Sequence, residues 1–251
     1  NSIIDELPPG RTPVKTVVIG DDRREQVIAR VRKACLEKRQ VYWVCTLIEE
    51  SDALQCQAAE VTAEQLQQQL PQLRIGLVHG RMKAAEKASV MQQFKGGDGG
   101  YQLDLLVATT VIEVGVDVPN ASVMIIENPE RLGLSQLHQL RGRVGRGSVE
   151  SFCLLMYRAP LSYTAKQRLQ IMRETTDGFK IAEKDLEIRG PGEVLGTKQT
   201  GQMQFKIADL QRDADLLDKV QELAQEVNTN LALAASITER WLSSNERYGQ
   251  V

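Results

Sequence analysis

Apolar residues recur along the chain in short runs that alternate with longer stretches of mixed polarity. Residues 41–45 (Val-Tyr-Trp-Val-Cys) are continuously apolar, which is typical of a strand covered on both faces in a parallel sheet. The same pattern predicts strands at residues 16–19, 75–78, 103–107, 123–126 and 152–157, and helices at residues 23–39, 58–70, 84–94 and 134–144. This alternation indicates an open α/β sheet with right-handed crossovers. In such a sheet we expect ligands at the carboxyl ends of the strands.

The alternation stops near residue 160. Two helices are predicted at residues 161–174 and 178–187, and a loop rich in Gly, Thr and Gln follows at residues 189–201. Residues 209–241 have apolar positions at helical spacing, which predicts a C-terminal helix. We therefore predict two domains: residues 1–159 hold the sheet, and residues 160–251 hold the helical hairpin, the loop and the C-terminal helix.

Composition narrows the class of protein. The chain has 251 residues, 42% of them hydrophobic, which is enough for a sizeable core, and its net charge of −2 leaves any nucleic-acid contact to local basic patches. The four cysteines form no Cys-x-x-Cys pair, so we predict reduced thiols and no metal site. No apolar run approaches the ~20 residues that span a bilayer, and no signal peptide is recognisable, so we expect a cytoplasmic protein. A chain that begins with Asn1 is consistent with a fragment.

The most specific motif is Gln-Leu-Arg-Gly-Arg-Val-Gly-Arg at residues 139–146. Arg143 and Arg146 are three positions apart, so on a helix or in its last turn they lie on one side and reach a common anion. A planar, permanently charged guanidinium suits the charge that develops on a transferring γ-phosphoryl group, which is the role of an arginine finger. The alternative is a basic helix end that interacts with the helix dipole.

Two further segments follow predicted strands and carry polar groups. Thr109 and Thr110 offer hydroxyl and amide groups that suit a DNA phosphate, or else they cap a helix. Gly115 allows a close backbone approach, and Asp117 offers a carboxylate to ribose, water or an arginine. His79 and Arg81 stand at the end of another strand, where the histidine is either functional or structural and the arginine is either a DNA contact or solvated.

These segments, in this order, resemble the second RecA-like lobe of superfamily 2 helicases. The resemblance is closer to the RecG family of branched-DNA helicases and covers essentially the whole chain. Its most specific part is the stretch at residues 185–201, Asp-Leu-Glu-Ile-Arg-Gly-Pro-Gly-Glu through Gly-Thr-Lys-Gln-Thr-Gly, which resembles the translocation motif shared by RecG and the transcription-repair coupling factor Mfd. The resemblance implies a RecA-like open parallel sheet with helices on both faces, followed by the hairpin, the loop and the C-terminal helix.

The resemblance also implies residue roles. Gln139, Arg143 and Arg146 would face ATP held on another lobe, with Gly115 and Asp117 nearby. The hairpin and loop would convert lobe closure into movement on duplex DNA. Arg168, Arg189 and Gln199 are predicted to couple the two events or to contact DNA. Alternatively, Arg168 and Arg189 form buried salt bridges with Glu183, Asp185 or Glu187.

Some helicase parts are not recognisable in this sequence. No Gly-x-x-x-x-Gly-Lys-Ser/Thr loop and no Asp-Glu-x-His or Asp-Glu-x-Gln box occurs, so ATP and Mg²⁺ would be held mainly by a first lobe outside the chain. The RecG wedge domain is not recognisable either. We therefore expect no ATPase activity and no unwinding from this chain alone.

The predicted function is the second motor lobe of an ATP-dependent double-stranded DNA translocase that remodels replication forks and Holliday junctions in recombination and repair. The alternatives are an Mfd-like translocase lobe, a non-catalytic nucleic-acid-binding module, and an RNA helicase, which shares the motif order but not the tail. The implied partners are branched double-stranded DNA and the single-stranded DNA-binding protein. We expect a monomer in the cytoplasm, associated with the nucleoid, and no contact with a membrane.

Overall fold

The computed structural model describes residues 13–46, 52–96, 102–110, 118–147, 149–189 and 216–241. Two compact units make up the chain, residues 1–185 and residues 186–251. Several predicted features lie outside the described residues, namely Gly115, Asp117, Gln199 and the loop from residue 190 onward.

The first unit contains a six-stranded sheet in which every described pairing is parallel. The strand order is β1-β6-β5-β2-β4-β3, so β2, β4, β5 and β6 are central and β1 and β3 form the edges. The strands are β1 (Val14–Gly20), β2 (Gln40–Cys45), β3 (Ile75–Val78), β4 (Leu105–Ala108), β5 (Ala121–Glu127) and β6 (Ser151–Tyr157). The predicted open parallel sheet is confirmed.

One face of the sheet is covered by α1 (Arg24–Leu36) and α2 (Asp52–Gln69). Val41 and Trp43 of β2 point to this face, where they join the buried side chains Val31 and Leu66 of the two helices in one apolar cluster. Because β2 has helices over both faces, all six of its residues are buried, which explains its continuous apolar sequence.

The other face is covered by α3 (Ala84–Lys95), α4 (Leu134–Arg141) and α5 (Tyr163–Glu174). The Tyr42 ring of β2 meets the Phe94 ring of α3 edge to face, with centroids 4.9 Å apart. Helix α4 buries Leu134, Leu137 and Leu140 completely. Helices on both faces therefore agree with the predicted RecA-like layering.

Three helices complete the described chain, namely α6 (Gly178–Arg189), α7 (Leu217–Thr229) and α8 (Leu231–Trp241). The prediction of one C-terminal helix over residues 209–241 is wrong, because α7 and α8 are separated at Asn230. The Asn230 side-chain oxygen accepts a hydrogen bond from the Leu233 amide at 3.2 Å and so caps the start of α8.

Several predicted element boundaries need correction, including the end of α1, which lies at Leu36 rather than near residue 39. Helix α2 begins at Asp52 rather than near residue 58, and β4 begins at Leu105 rather than at residue 103. Helix α4 ends at Arg141 rather than at residue 144.

The four cysteines are free and buried, and burial raises the pKa of the Cys45 thiol to about 12, so it stays protonated at neutral pH.

Candidate functional site

The candidate functional residues lie at two opposite edges of the parallel sheet. The amino edge is the one at which strands begin, and it is reached by the segments that precede β5 and β6. The carboxyl edge is the one at which strands end, and it carries the residues that follow β2, β3, β4 and β5. Because all six strands are parallel, chain order alone decides the edge at which each segment lies.

The predicted arginine pair lies at the amino edge, in the segment between α4 and β6 that we call the arginine loop (residues 142–150). Arg143 and Arg146 are half-buried, and Gln139, in the last turn of α4, is exposed. Gly145 has a φ of 80°, which turns the chain between the two arginines. Arg146 Nε then donates to the carbonyl of Gly142 at 3.3 Å. The pair is thus partly exposed, and it follows the helix instead of lying on it.

A close backbone approach joins the arginine loop to the turn that precedes β5. A Cβ atom on Gly147 would lie 2.7 Å from the carbonyl oxygen of Pro119, so only glycine fits at this position. This contact places the loop beside the start of β5. Arg143 and Arg146 therefore lie at the edge opposite to the carboxyl ends, where ligands of such sheets are generally expected, because the two arginines precede β6 instead of following a strand.

The predictions missed Arg141, which is the only arginine among the buried polar residues of the described chain, with 3% exposure. Its Nη1 donates to the carbonyls of Met172 and Thr175, at 2.9 Å each, and to the Thr16 hydroxyl at 3.3 Å. Burial lowers the Arg141 pKa below its ordinary value. The signal was present in the sequence: Arg141 follows Leu134 and Leu137 at helical spacing and so lies on the buried face of α4.

His138 lies between Arg141 and the start of α6. Arg141 Nη2 lies 3.1 Å from His138 Nδ1, so this nitrogen accepts and the ring is neutral when the contact forms. On the other side, a Cβ atom on Gly178 would lie 3.2 Å from His138 Nε2. Burial, followed by the charge of Arg141, lowers the His138 pKa, and Asp177 opposes that effect.

Arg141 reaches from α4 to α5, and Arg168 reaches from α5 back to α4. Its Nη1 donates to the carbonyl of Leu132 at 2.8 Å, just before α4 begins. Helix α4 is therefore joined to α5 at both of its ends: Arg168 binds the residue before its first turn, and Arg141 lies in its last turn. This backbone contact was expected in neither interpretation of Arg168, as a coupling residue or as a partner of the acidic residues on α6.

The carboxyl edge holds the residues predicted to contact DNA. His79 is 12% exposed in its side chain, and its Nε2 lies 3.4 Å from a carboxylate oxygen of Glu60 on α2. Arg81 is exposed and Thr110 is half-buried. Thr109 is 2% exposed, and its amide donates to the Val78 carbonyl at 3.2 Å. The sequence had suggested that this N–H binds a phosphate, but in the structure it is already bonded to the neighbouring strand.

Further contacts fasten the carboxyl ends of the central strands. Thr46 Oγ1 donates to the carbonyl of Asn128 at 2.9 Å, and the Asn128 side-chain amide returns a hydrogen bond to the Thr46 carbonyl at 3.3 Å. Asn128 has a φ of 48°, a left-handed conformation that asparagine tolerates. Arg24 of α1 pairs with Glu127 and lies 5.1 Å from the centre of the Trp43 ring. Neighbouring strand ends are thus held in register.

Four predicted site residues cannot be placed in this geometry. Gly115, Asp117 and Gln199 lie outside the described residues, and Arg189 is described in its backbone, as the last residue of α6. Among the described residues, no group of three or more His, Cys, Asp or Glu side chains is placed to hold a metal ion. None of the described helices is long and apolar enough to cross a membrane.

Two protein-family models match this chain. Residues 24–148 match the helicase conserved C-terminal domain, and residues 175–239 match the C-terminal part of domain 3 of the ATP-dependent DNA helicase RecG. The RecG helicases of Escherichia coli O157:H7 and Pasteurella multocida are 64% and 63% identical to the chain, over 98% and 100% of its length. These matches cover 35% and 36% of the relatives, so the chain spans about a third of their length.

A solved structure gives the same result. The chain is 46% identical to a RecG protein bound to a three-way DNA junction, with a TM-score of 0.64, over 85% of this chain and 27% of that one. The parallel sheet and the arginine loop define the second RecA-like motor lobe of a superfamily 2 helicase. More narrowly, the chain belongs to the RecG family, since both its lobe and its tail match, and this favours RecG over the Mfd alternative.

Proposed function

We propose that the protein to which this chain belongs is an ATP-driven helicase that moves on double-stranded DNA and remodels replication forks and Holliday junctions. The chain supplies the second motor lobe. The observation that carries the proposal is the pair of partly exposed arginines at the amino edge, Arg143 and Arg146, on a lobe of the RecG family. The RecG relative bound to a three-way junction supports branched DNA as the partner.

The amino edge fits a nucleotide bound by another lobe. Arg143 and Arg146 would neutralise the negative charge that develops on the γ-phosphoryl group of ATP as it leaves. Gln139 is exposed one turn before Arg143 and would orient the same phosphate or the attacking water. Gly115 and Asp117 complete this site in the proposal. Mg²⁺ would be held by the first lobe, where it would offset the charge of the phosphates.

The paired contacts between α4 and α5 support a coupling role for Arg168. A displacement of the arginine pair moves α4, and α4 is tied to α5 by Arg168 and Arg141 through backbone carbonyls. Carbonyl contacts of a buried or half-buried guanidinium resist sliding more than exposed ion pairs do, because breaking them leaves buried acceptors without donors. We therefore place Arg168 in the path from ATP to α6 and the segment that follows.

The carboxyl edge and the tail form the DNA side of the proposal. Arg81 and Thr110 are accessible at the carboxyl edge, and His79 and Thr109 support the same strand ends from within. Arg189 and Gln199 would contact the duplex backbone, which requires no particular base sequence. In this proposal, the predicted domain boundary at residue 160 separates a lobe that responds to ATP from a tail that acts on DNA.

We also propose that the protein works as a monomer in the cytoplasm, associated with the nucleoid. Branched double-stranded DNA is its substrate, and the single-stranded DNA-binding protein is a candidate partner at forks.

The test is fork-stimulated ATP hydrolysis by the full-length protein and its variants. Arg143→Ala and Arg146→Ala should each lower kcat on the order of a hundredfold or more, because an arginine finger acts on the transition state, while affinity for forked DNA stays within about twofold. Arg30→Ala is the matched control, since Arg30 is exposed on α1. Normal turnover in both finger variants, or stimulation by single-stranded RNA alone, would overturn the proposal.

A further inference from the structure

Arg39 occupies the amino edge at the start of β2. It follows Lys38, whose φ of 63° places it in the left-handed region after α1, and it precedes Gln40, the first residue of β2. This sharp turn directs the half-buried Arg39 side chain along the edge of the sheet, toward the starts of β5 and β6.

The Arg39 guanidinium donates hydrogen bonds at the starts of two strands, β5 and β6. Its Nε donates to the Ser122 hydroxyl in β5 at 2.7 Å, and its Nη2 donates to the Glu150 carbonyl before β6 at 2.6 Å. The Arg39 guanidinium carbon also lies 5.6 Å from the centre of the Phe152 ring in β6. One side chain thus spans three adjacent strands, which are about 4.8 Å apart in a sheet.

The starts of β5 and β6 each adjoin a segment at the amino edge, where we propose that the nucleotide is bound. Glu150 is the last residue of the arginine loop, and Ser122 lies just beyond the turn that ends at Asn120. Gly147 packs its backbone against Pro119 in that turn. Arg39 therefore fixes the loop and the turn relative to each other, on the strand side of the Gly147 contact.

We propose that Arg39 is a positioning residue for the arginine loop: it holds the loop's C-terminal end so that Arg143 and Arg146 stay at the distance that phosphoryl transfer requires. This inference builds on the proposed function of the arginine pair. Arg39 acts through backbone and hydroxyl acceptors, because its Nε and Nη2 already have partners on this chain. Because misplacement by about 1 Å can lower a rate on the order of a hundredfold, a brace of this kind affects turnover more than ground-state binding.

A purely structural role makes a different prediction. In that case Arg39 would contribute to the stability of the sheet edge, and its loss would lower the melting temperature without a selective effect on the chemical step. The split between kcat and KM for ATP separates the two roles, since positioning for the transition state appears in kcat.

The experiment measures fork-stimulated ATPase kinetics and thermal unfolding of full-length variants. Arg39→Ala should lower kcat on the order of tenfold or more while KM for ATP stays within about twofold. Arg39→Lys should recover part of the rate, because a lysine reaches one acceptor but lacks the planar fork that bonds two. Ser122→Ala removes the acceptor of Nε alone and should also give an intermediate rate. Arg32→Ala is the control, because Arg32 is exposed and donates to Gln69, at the end of α2.

Two outcomes would overturn the inference. One is an Arg39→Ala protein whose kcat equals that of Arg32→Ala, and the other is a raised KM for ATP with kcat unchanged. If Arg39→Ala does not fold, Arg39→Lys and Ser122→Ala give the answer by the same comparison. Arg143→Ala is measured in parallel: normal turnover there refutes the proposed function, whereas a slow Arg143→Ala beside a normal Arg39→Ala refutes the brace alone.

Discussion

At the scale of single residues, His138 stands between two groups with opposite effects on its charge. Arg141 donates toward Nδ1 and disfavours a second positive charge, while Asp177 favours it. Burial is the larger influence, and the net result is a pKa below the ordinary value of 6.5. Folding therefore favours the neutral ring, and protonation removes the acceptor that faces Arg141.

This shift predicts an acid-sensitive contribution to stability. Between the lowered pKa and 6.5 the unfolded chain binds more protons than the folded chain, so the free energy of unfolding increases with pH across that window. The contribution is complete above pH 6.5 and is lost as pH falls. His138→Asn, whose amide oxygen replaces Nδ1 without titrating, should flatten this part of the curve measured by urea unfolding.

The sequence provides a matched control for this measurement. The chain has two histidines, so His79→Asn leaves His138 as the single imidazole. The His79→Asn protein should keep the acid sensitivity that is assigned to His138. If His138→Asn shows the same pH dependence as the unchanged chain, the assignment is incorrect.

At the scale of elements, α4 and α5 behave as a linked pair. Arg168 holds the segment before α4, and Arg141 reaches the end of α5 and the turn that leads to α6. Helix α4 is therefore joined to α5 at both of its ends by contacts to main-chain carbonyls, which move only when a backbone moves. In our proposal, this linkage makes ATP hydrolysis and DNA movement separable by mutation.

Arg168→Ala in the full-length protein should uncouple the two activities. We expect fork-stimulated ATP hydrolysis to stay within about threefold of normal, while the rate of fork regression falls on the order of tenfold or more, because the arginine pair is untouched and its link to α5 is lost. The ratio of regressed forks to hydrolysed ATP measures this effect. Lys166→Ala, an exposed neighbour on α5, is the control, and a parallel loss of both activities in Arg168→Ala would contradict the coupling role.

The elements were predictable to different degrees for physical reasons. Strands β2 and β4 are buried on both faces, so continuous apolar runs identified them. The end of α4 was missed because Arg143 and Val144 keep helical spacing, while the chain leaves the helix at Gly142. The break at Asn230 was missed although asparagine is a strong N-cap residue, because apolar spacing continues across it.

The candidate site residues were predicted from their types and spacing, whereas their placement depends on the fold. The Arg-Gly-Arg-Val-Gly-Arg pattern predicted the arginine pair, but the edge at which the pair lies follows from chain order, which the pattern does not encode. The brace at Arg39 left no motif in the sequence, because its partners Ser122 and Glu150 become neighbours through the strand order β2-β5-β6. Contacts of this kind depend on long-range pairing that local patterns do not encode.

At the scale of the whole molecule, the chain is one part of a two-lobe motor in our proposal. The chain alone should hydrolyse ATP no faster than buffer, with or without forked DNA, because an arginine pair has nothing to stabilise unless another lobe holds nucleotide and Mg²⁺. Phosphate release measured for this chain and for the full-length protein checks this. DNA-stimulated hydrolysis by the chain alone would show that it contains a complete nucleotide site.

The two edges of the sheet have a consequence for inhibition. Strand β5 separates them by seven residues, which is roughly 20 Å of rigid, buried backbone. Under the proposed function, a small molecule lodged against Arg143 would block turnover without competing with DNA, which is proposed to contact Arg81 and Thr110. If the protein acts on branched DNA as we propose, such a compound would leave it bound to the junction, where it would obstruct other repair enzymes.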